Sequence, residues 1–445
     1  MKKVGLLGLL MLVLLCHIVI AGTTGKIAGV VTNRETGEAI VGVNVLITGT
    51  MMGGVTDLEG RYAILNVPVG AHEVRFSCLG FQTQVQQNIW VNIDLTTALH
   101  IKMVSTTLTL GEEVVVVAER PLIRKDETNT NIIRTVDEIK SMPVRGVQEL
   151  ASVTAGVIKQ DNSSAMNVRG GRANETATYV DGVLVTDPYN AAMRLYIPTK
   201  AIEEISVQTG GFNAEYGEAM SGILAVTTRA GKDRYNFSLE AVTDEFLSAD
   251  SKNLGTYSYG FNEYIASASG PIWPKKQHTF FASVTRNYQA DWTPSWGWAE
   301  NPYRLKNYTY NQPLITTRRD AGGQLLVDTL QHNYAFNARL PGNESSDWSY
   351  TGKIKLQLAK QLELKASFIQ TDRTFSSDWF GTAIGIQPVQ FFNTDHRPLM
   401  DTHSRSINFT LTQLLSTRTF YDLKLNLFDT GRKVYDATFK DDLYK

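Results

Sequence analysis

The second half of the chain alternates between apolar and polar positions. Leu362, Leu364, Ala366 and Phe368 interleave with Glu363, Lys365 and Ser367, and Ile354, Leu356 and Leu358 with Lys353, Lys355 and Gln357. The same period runs through Ile407, Phe409 and Leu411 against Asn408, Thr410 and Thr412. It recurs in Tyr421, Leu423, Leu425 and Leu427 against Asp422, Lys424 and Asn426. Successive strand side chains point to opposite faces, so each segment has one apolar and one polar face. One face suits lipid and the other a polar lumen, as in a membrane barrel, although a soluble sandwich alternates too. The connectors favour the barrel: 359–361 and 416–418 are tight and 373–404 is long, the contrast made by short inner turns and long outer loops. We expect about eight strands, near 235–243, 257–269, 278–289, 332–340, 348–358, 362–371, 405–415 and 419–430. Their parity is off, and alternating the two kinds of connector requires one more strand between 290 and 331.

Upstream the pattern is different. Residues 25–103 read as about seven short strands separated by turns rich in Gly, Pro, Asn and Asp, which describes a small β-sandwich. Residues 120–231 suggest a compact α+β unit, with short helices at 136–140 and 146–150, Asp137 being well placed to start the first. Short strands follow at 178–180, 204–208 and 222–228. The fold class is therefore mainly β: an N-terminal β-sandwich (25–103), a connector (104–119), an α+β domain (120–231), then antiparallel strands (232–445) as the first part of an incomplete transmembrane β-barrel.

The one long apolar run, Val4 to Ile20, follows Lys2 and Lys3 and ends at Val19-Ile20-Ala21. Charge, apolar core and small residue in that order mark a signal peptide over 1–21. The run is short for a membrane anchor and no stop-transfer charges follow. Cys16 lacks the preceding small residue of a lipoprotein site, because Leu15 stands there. Without the signal only Cys78 is left, so an internal disulfide is excluded. Lys and Arg number 43 against 44 Asp and Glu, a balance that gives no support to a nucleic-acid partner.

The sandwich segment resembles the carboxypeptidase regulatory-like, transthyretin-like domain family. The resemblance rests on Gly25-Lys26-Ile27-Ala28-Gly29-Val30-Val31, on Gly54-Val55-Thr56-Asp57-Leu58-Glu59-Gly60-Arg61-Tyr62, on Val67-Pro68-Val69-Gly70 and on Leu79-Gly80-Phe81. Zinc-peptidase chemistry has no support here: His72 and His100 are the only histidines of the segment, without a His-x-x-Glu or His-Glu-x-x-His pairing. Asp57 and Glu59 read as turn and strand-edge residues, since no run of alternating oxygen ligands surrounds them.

Residues 120–231 resemble the plug domain of TonB-dependent receptors. The resemblance is carried in order by Asn167-Val168-Arg169-Gly170-Gly171-Arg172, Thr178-Tyr179-Val180-Asp181-Gly182-Val183, Ile202-Glu203-Glu204-Ile205-Ser206-Val207 and Gly210-Gly211-Phe212-Asn213-Ala214-Glu215-Tyr216-Gly217. It implies that charged groups of the plug contact a barrel wall; internal ion pairs are the alternative for Arg169, Arg172, Glu203, Glu204 and Glu215. No nucleophile–base pair accompanies them, so no catalytic residue, metal site or cofactor is expected. Just before the plug, Glu112-Glu113-Val114-Val115-Val116-Val117-Ala118 resembles a TonB box, a segment that joins the energising protein TonB as an added strand. A linker strand packed within the protein is the other reading.

The resemblance implies an outer-membrane transporter that is plug-gated, bedded in outer-membrane lipid and energised by a TonB-type partner. A binding or adhesion protein with a surface-exposed partner is the alternative. Trp292, Trp296, Trp298 and Tyr303 stand in an expected long loop, suited to stacking on a ligand or to an interfacial aromatic belt. Plugged barrels of this kind hold about 22 strands, more than the residues from 232 onward supply, so a longer barrel is expected. Export should cut the chain after Ala21, and mass spectrometry of the envelope fraction should find Gly22 as the mature N-terminus. An intact Met1 in the cytoplasm would contradict it.

Overall fold

The computed structural model describes residues 24–50, 52–105, 114–117, 130–159, 166–187, 193–212, 216, 219–246, 252–253, 256–258, 260–272, 278–290, 314–319, 324–330, 344–359, 361–376, 398–415 and 419–436. The sandwich comprises β1 (Thr24–Asn33), β2 (Asn44–Ile47), β3 (Gly53–Val55), β4 (Arg61–Pro68), β5 (Gly70–Ser77), β6 (Gln84–Val91), β7 (Thr96–Ala98), β8 (Ile101–Met103) and β9 (Val114–Val117). One sheet runs β4-β1-β7 with β8 also on β1, and the other runs β3-β2-β5-β6-β9. Alternation turns Ile27, Val31 and Ile64 of the first sheet and Val45, Val74 and Phe76 of the second into one core. Tyr62 meets Phe76 edge-on at 5.6 Å between ring centroids and donates its hydroxyl to the Leu99 carbonyl at 2.8 Å. Burial pushes this phenol well above its ordinary range.

The plug comprises β10 (Thr130–Thr135), α1 (Val136–Ser141), α2 (Gly146–Ser152), β11 (Val157–Lys159), β12 (Met166–Val168), β13 (Thr176–Val180), β14 (Val183–Leu184), β15 (Ile202–Gly210) and β16 (Gly222–Thr228). Its five-stranded sheet has the order β10-β15-β16-β13-β14. The start of α1 differs from the expectation: Thr135 is the cap residue, and Asp137 and Glu138 lie in the first turn, where their charge opposes the helix dipole. Between β13 and β14, Asp181 and Gly182 have φ of 48° and 81° while Val180 pairs with Val183. A type I′ two-residue hairpin turn requires positive φ at both central positions.

The wall comprises β17 (Asn236–Thr243), β18 (Lys252–Asn253), β19 (Thr256–Tyr257), β20 (Phe261–Pro271), β21 (Thr279–Gln289), β22 (Leu314–Arg319), β23 (Leu325–Leu330), β24 (Ser345–Ala359), β25 (Leu362–Ser376), β26 (Pro398–Leu414) and β27 (Phe420–Asp436). Seven of them form an antiparallel sheet in the order β17-β20-β21-β24-β25-β26-β27, which is not closed among the described residues. Here the parity resolves. β21 pairs directly with β24, from Thr279↔Lys355 to Gln289↔Ser345, and the hairpin β22–β23 lies between them in the sequence. No strand is missing from the sheet between them, and the one expected at 332–340 lies outside the described residues. Short connections follow β20, β24 and β26, all at one end of the wall.

The wall turns apolar side chains outward and polar ones inward. Leu423, Leu425 and Leu427 are exposed, as are Phe368 and Phe409, while Ser404, Ser406, Asn408, Thr410, Glu363, Ser367 and Thr371 are buried on the other face. The plug lies against that face: Phe281 and Ile369 of the wall join Leu150, Val180, Ile197 and Leu224 in one core.

Gly29 of β1 shows how closely the sandwich sheet is packed. A Cβ there would stand 1.9 Å from the Leu99 carbonyl oxygen, a backbone atom that cannot swing aside. Gly29→Ala is therefore expected to destabilise the sandwich by about 1–3 kcal/mol, read as a lower urea midpoint.

Candidate functional site

The residues that bear on function lie where sandwich, plug and wall meet. At the plug–wall contact Asp181 occupies the tight β13–β14 turn, which aims its carboxylate across the sheet. Asp181 Oδ1 accepts from the Thr228 backbone N–H at 3.0 Å and from Lys353 Nζ of β24 at 2.9 Å. Lys353 also donates to the Thr228 carbonyl at 3.0 Å. The lysine side chain is 13% exposed and the aspartate 6%, so the pair is shielded and its removal leaves a stranded charge.

A second contact is centred on Tyr196. Its backbone N–H donates to Thr371 Oγ1 at 2.9 Å and its carbonyl accepts from Ser349 Oγ at 2.5 Å, both on the wall. Its hydroxyl donates to Glu263 of β20. Burial, then the nearby Glu263 charge and the hydrogen bond to it, push this phenol well above its ordinary range. Glu263, 1% exposed, also accepts from Arg145. Arg145 reaches Glu240 of β17 at 2.9 Å, and Lys200 reaches the same carboxylate at 3.3 Å.

The sandwich contacts both other bodies. Glu204 of β15 accepts from the Ile93 backbone N–H at 2.9 Å and from Trp90 Nε1 at 3.4 Å. Tyr216 of the plug donates to Asp94. Asn66 donates to Asp422 of β27 at 3.1 Å. His72 faces the short-turn end of the wall, its Nε2 2.7 Å from the Pro68 carbonyl. Burial pulls this imidazole below its ordinary value; the Pro68 bond opposes that, and Lys355, Lys365 and Lys232 reinforce it.

The sequence candidates thus separate. Asp181 reaches the wall and Glu204 reaches the sandwich. Glu203 faces Arg229 within the plug at 3.9 Å, and burial lowers the arginine's pKa against the opposing pull of Glu203 and Asp137. Arg169 is exposed on the plug, its backbone N–H donating to the Gly156 carbonyl at 2.7 Å, and Gly170 and Gly182 follow it and Asp181 in left-handed turns. Gly171 packs on Ser221, which a Cβ would meet at 2.3 Å. The Arg172 backbone N–H donates to Glu175 at 3.0 Å. Val114, Val115, Val116 and Val117 pair in parallel with Gln84, Val85, Gln86 and Gln87 of β6. Glu112, Glu113, Ala118, Glu215, Gly217, Trp292, Trp296, Trp298 and Tyr303 lie outside the described residues. Arg145, Tyr196, Glu240, Glu263 and Lys353 were missed, because partners 118 or 172 residues apart leave no local signal. Among the described residues no group of three His, Cys, Asp or Glu is placed to hold a metal ion.

Residues 27–116 match the CarboxypepD_reg-like domain and residues 124–223 the TonB-dependent receptor plug domain. The chain is 25% identical over 292 residues to the TonB-dependent transporter Oar of Myxococcus xanthus, covering 60% of this chain and 27% of that protein. It is 23% identical over 219 residues to the TonB-dependent receptor SusC of Bacteroides thetaiotaomicron, covering 46% of this chain and 21% of that one. Among solved structures, the FrpB iron transporter of Neisseria meningitidis aligns with a TM-score of 0.45 at 17% identity, over 69% of this chain and 41% of that one. The aligned part thus spans about a quarter of the length of these curated relatives. The chain carries, in order, the CarboxypepD_reg-like domain and the plug domain of the TonB-dependent receptor and transporter family.

Proposed function

We propose that this chain works in a plug-gated outer-membrane transporter energised through a TonB-type protein. The observation that carries the reading is the wall's inverted polarity around a plug. Leucines face outward, where lipid replaces water, and the inner polar face is met by buried bonds such as Lys353–Asp181. The sandwich lies at the short-turn end, which in this reading is the periplasmic side, where an energising protein is within reach. Uptake then means displacing the plug from the wall, for a substrate too large or scarce for simple pores. β9, placed just before the plug, is the strand that meets the TonB-type partner by main-chain pairing.

The test is Val115→Pro in the intact receptor, since proline removes a backbone donor from that strand. TonB binding and uptake are expected to fall to background while ligand binding persists. Unchanged uptake would show β9 to be only a structural strand. The gate makes a separate prediction. Lys353→Met strands the Asp181 carboxylate and should loosen the plug by about 3–5 kcal/mol, seen as faster proteolysis of the plug in isolated outer membranes.

A further inference from the structure

Strand β6 touches both ends of the proposed machinery. Its first half pairs with β9 in parallel register, Gln84↔Val114 through Gln87↔Val117. At its other end Trp90 Nε1 donates to Glu204 at 3.4 Å, and two residues beyond it the Ile93 backbone N–H donates to the same carboxylate at 2.9 Å. Glu204 is 1% exposed and belongs to β15, which lies between β10 and β16 in the plug sheet. One strand therefore links the segment before the plug to a buried group within it.

We propose that β9 stays zipped to β6 while the TonB-type protein pulls, and that β6 relays the pull to the plug through Glu204. The proposal rests on the reading of β9 as the TonB-facing strand. β9 is the last strand of its sheet among the described residues. One row of its backbone groups faces β6, and among the described residues no strand pairs with the outer row, where an added strand could pair. Its four valines include none of the charges or prolines that blunt a sheet edge. A pull along the strand loads its pairs with β6 together rather than one by one. The covalent path from Val117 to Thr130 runs through twelve intervening residues, which span about 40 Å when drawn out. The path through β6 instead consists of paired backbone and buried hydrogen bonds, and it responds to the first displacement. The Glu204 carboxylate suits that role, because charge-assisted bonds from N–H donors are stronger than neutral ones. Glu204 is thus a positioning residue that acts through the sandwich.

The experiment locks the two strands together. Gln86→Cys with Val116→Cys, in a Cys78→Ser background of the intact receptor, places thiols on register partners. Neighbouring strands lie about 4.8 Å apart, a spacing a disulfide bridges. Binding of the purified periplasmic domain of the TonB-type protein and substrate uptake are compared in oxidised and reduced receptor. Both are expected to agree within about twofold; a loss of about tenfold on oxidation, restored by reductant, would mean that β9 must leave β6 and would overturn the relay. In a second arm, Glu204→Leu should retain TonB binding and lose about tenfold in uptake. Glu204→Gln, which keeps an oxygen for the Ile93 donor, should recover most of it. Full uptake in Glu204→Leu would equally overturn the proposal, and if that variant's plug fails to fold, the strand lock decides alone. Unchanged TonB binding in Val115→Pro removes the TonB-facing role of β9 itself, whereas a loss confined to the oxidised lock removes only the relay.

Discussion

A wall of strands that turns its Ser, Thr, Asn, Lys and Glu side chains inward creates buried donors and acceptors that have to be met from the inside. Leaving such groups unpaired costs more than any one of them contributes when bonded. The plug meets this demand at defined points. Lys353 is held by Asp181 and the Thr228 carbonyl, and the Tyr196 backbone is bonded on both its N–H and its C=O by wall hydroxyls. These bonds fix where the plug sits, and the plug in turn fixes the sandwich through Glu204 and Tyr216. The architecture thus reads outward from the polar inner face.

The contacts also differ in kind. The core shared by Phe281 and Ile369 with the plug is non-directional and tolerates sliding. The ion pairs are directional and concentrated at Asp181, Glu240 and Glu263. The sandwich bridges to plug and wall through polar bonds, with Asn66 on Asp422 and His72 beside wall lysines at the short-turn end.

Much of this was legible in the sequence, for a physical reason. The period of two follows from strand geometry alone, so the facing of Leu423 and Thr410 was readable without partners. Resemblance supplied the domain order. What was hidden depends on tertiary choice. β21 pairs directly with β24, so counting a wall strand at 332–340 by pattern, between those two, gave the wrong parity. β9 was recognisable as a strand, but its choice of β6 across some thirty residues is not encoded in four valines. Asp181 was singled out by its motif, whereas Lys353, 172 residues away, resembled any other lumen lysine.

The separations between bonded partners bear on the order in which the protein is made. The core of the sandwich draws on residues 27–103 and that of the plug mostly on residues 139–226, so each is built from contacts close in sequence. Asn66 meets Asp422 of β27 and Tyr196 meets Thr371 of β25, partners 356 and 175 residues later in the chain. Loop-closure entropy delays such distant contacts behind local ones. The cores of sandwich and plug thus need shorter loop closures than the bonds that seat them on the wall.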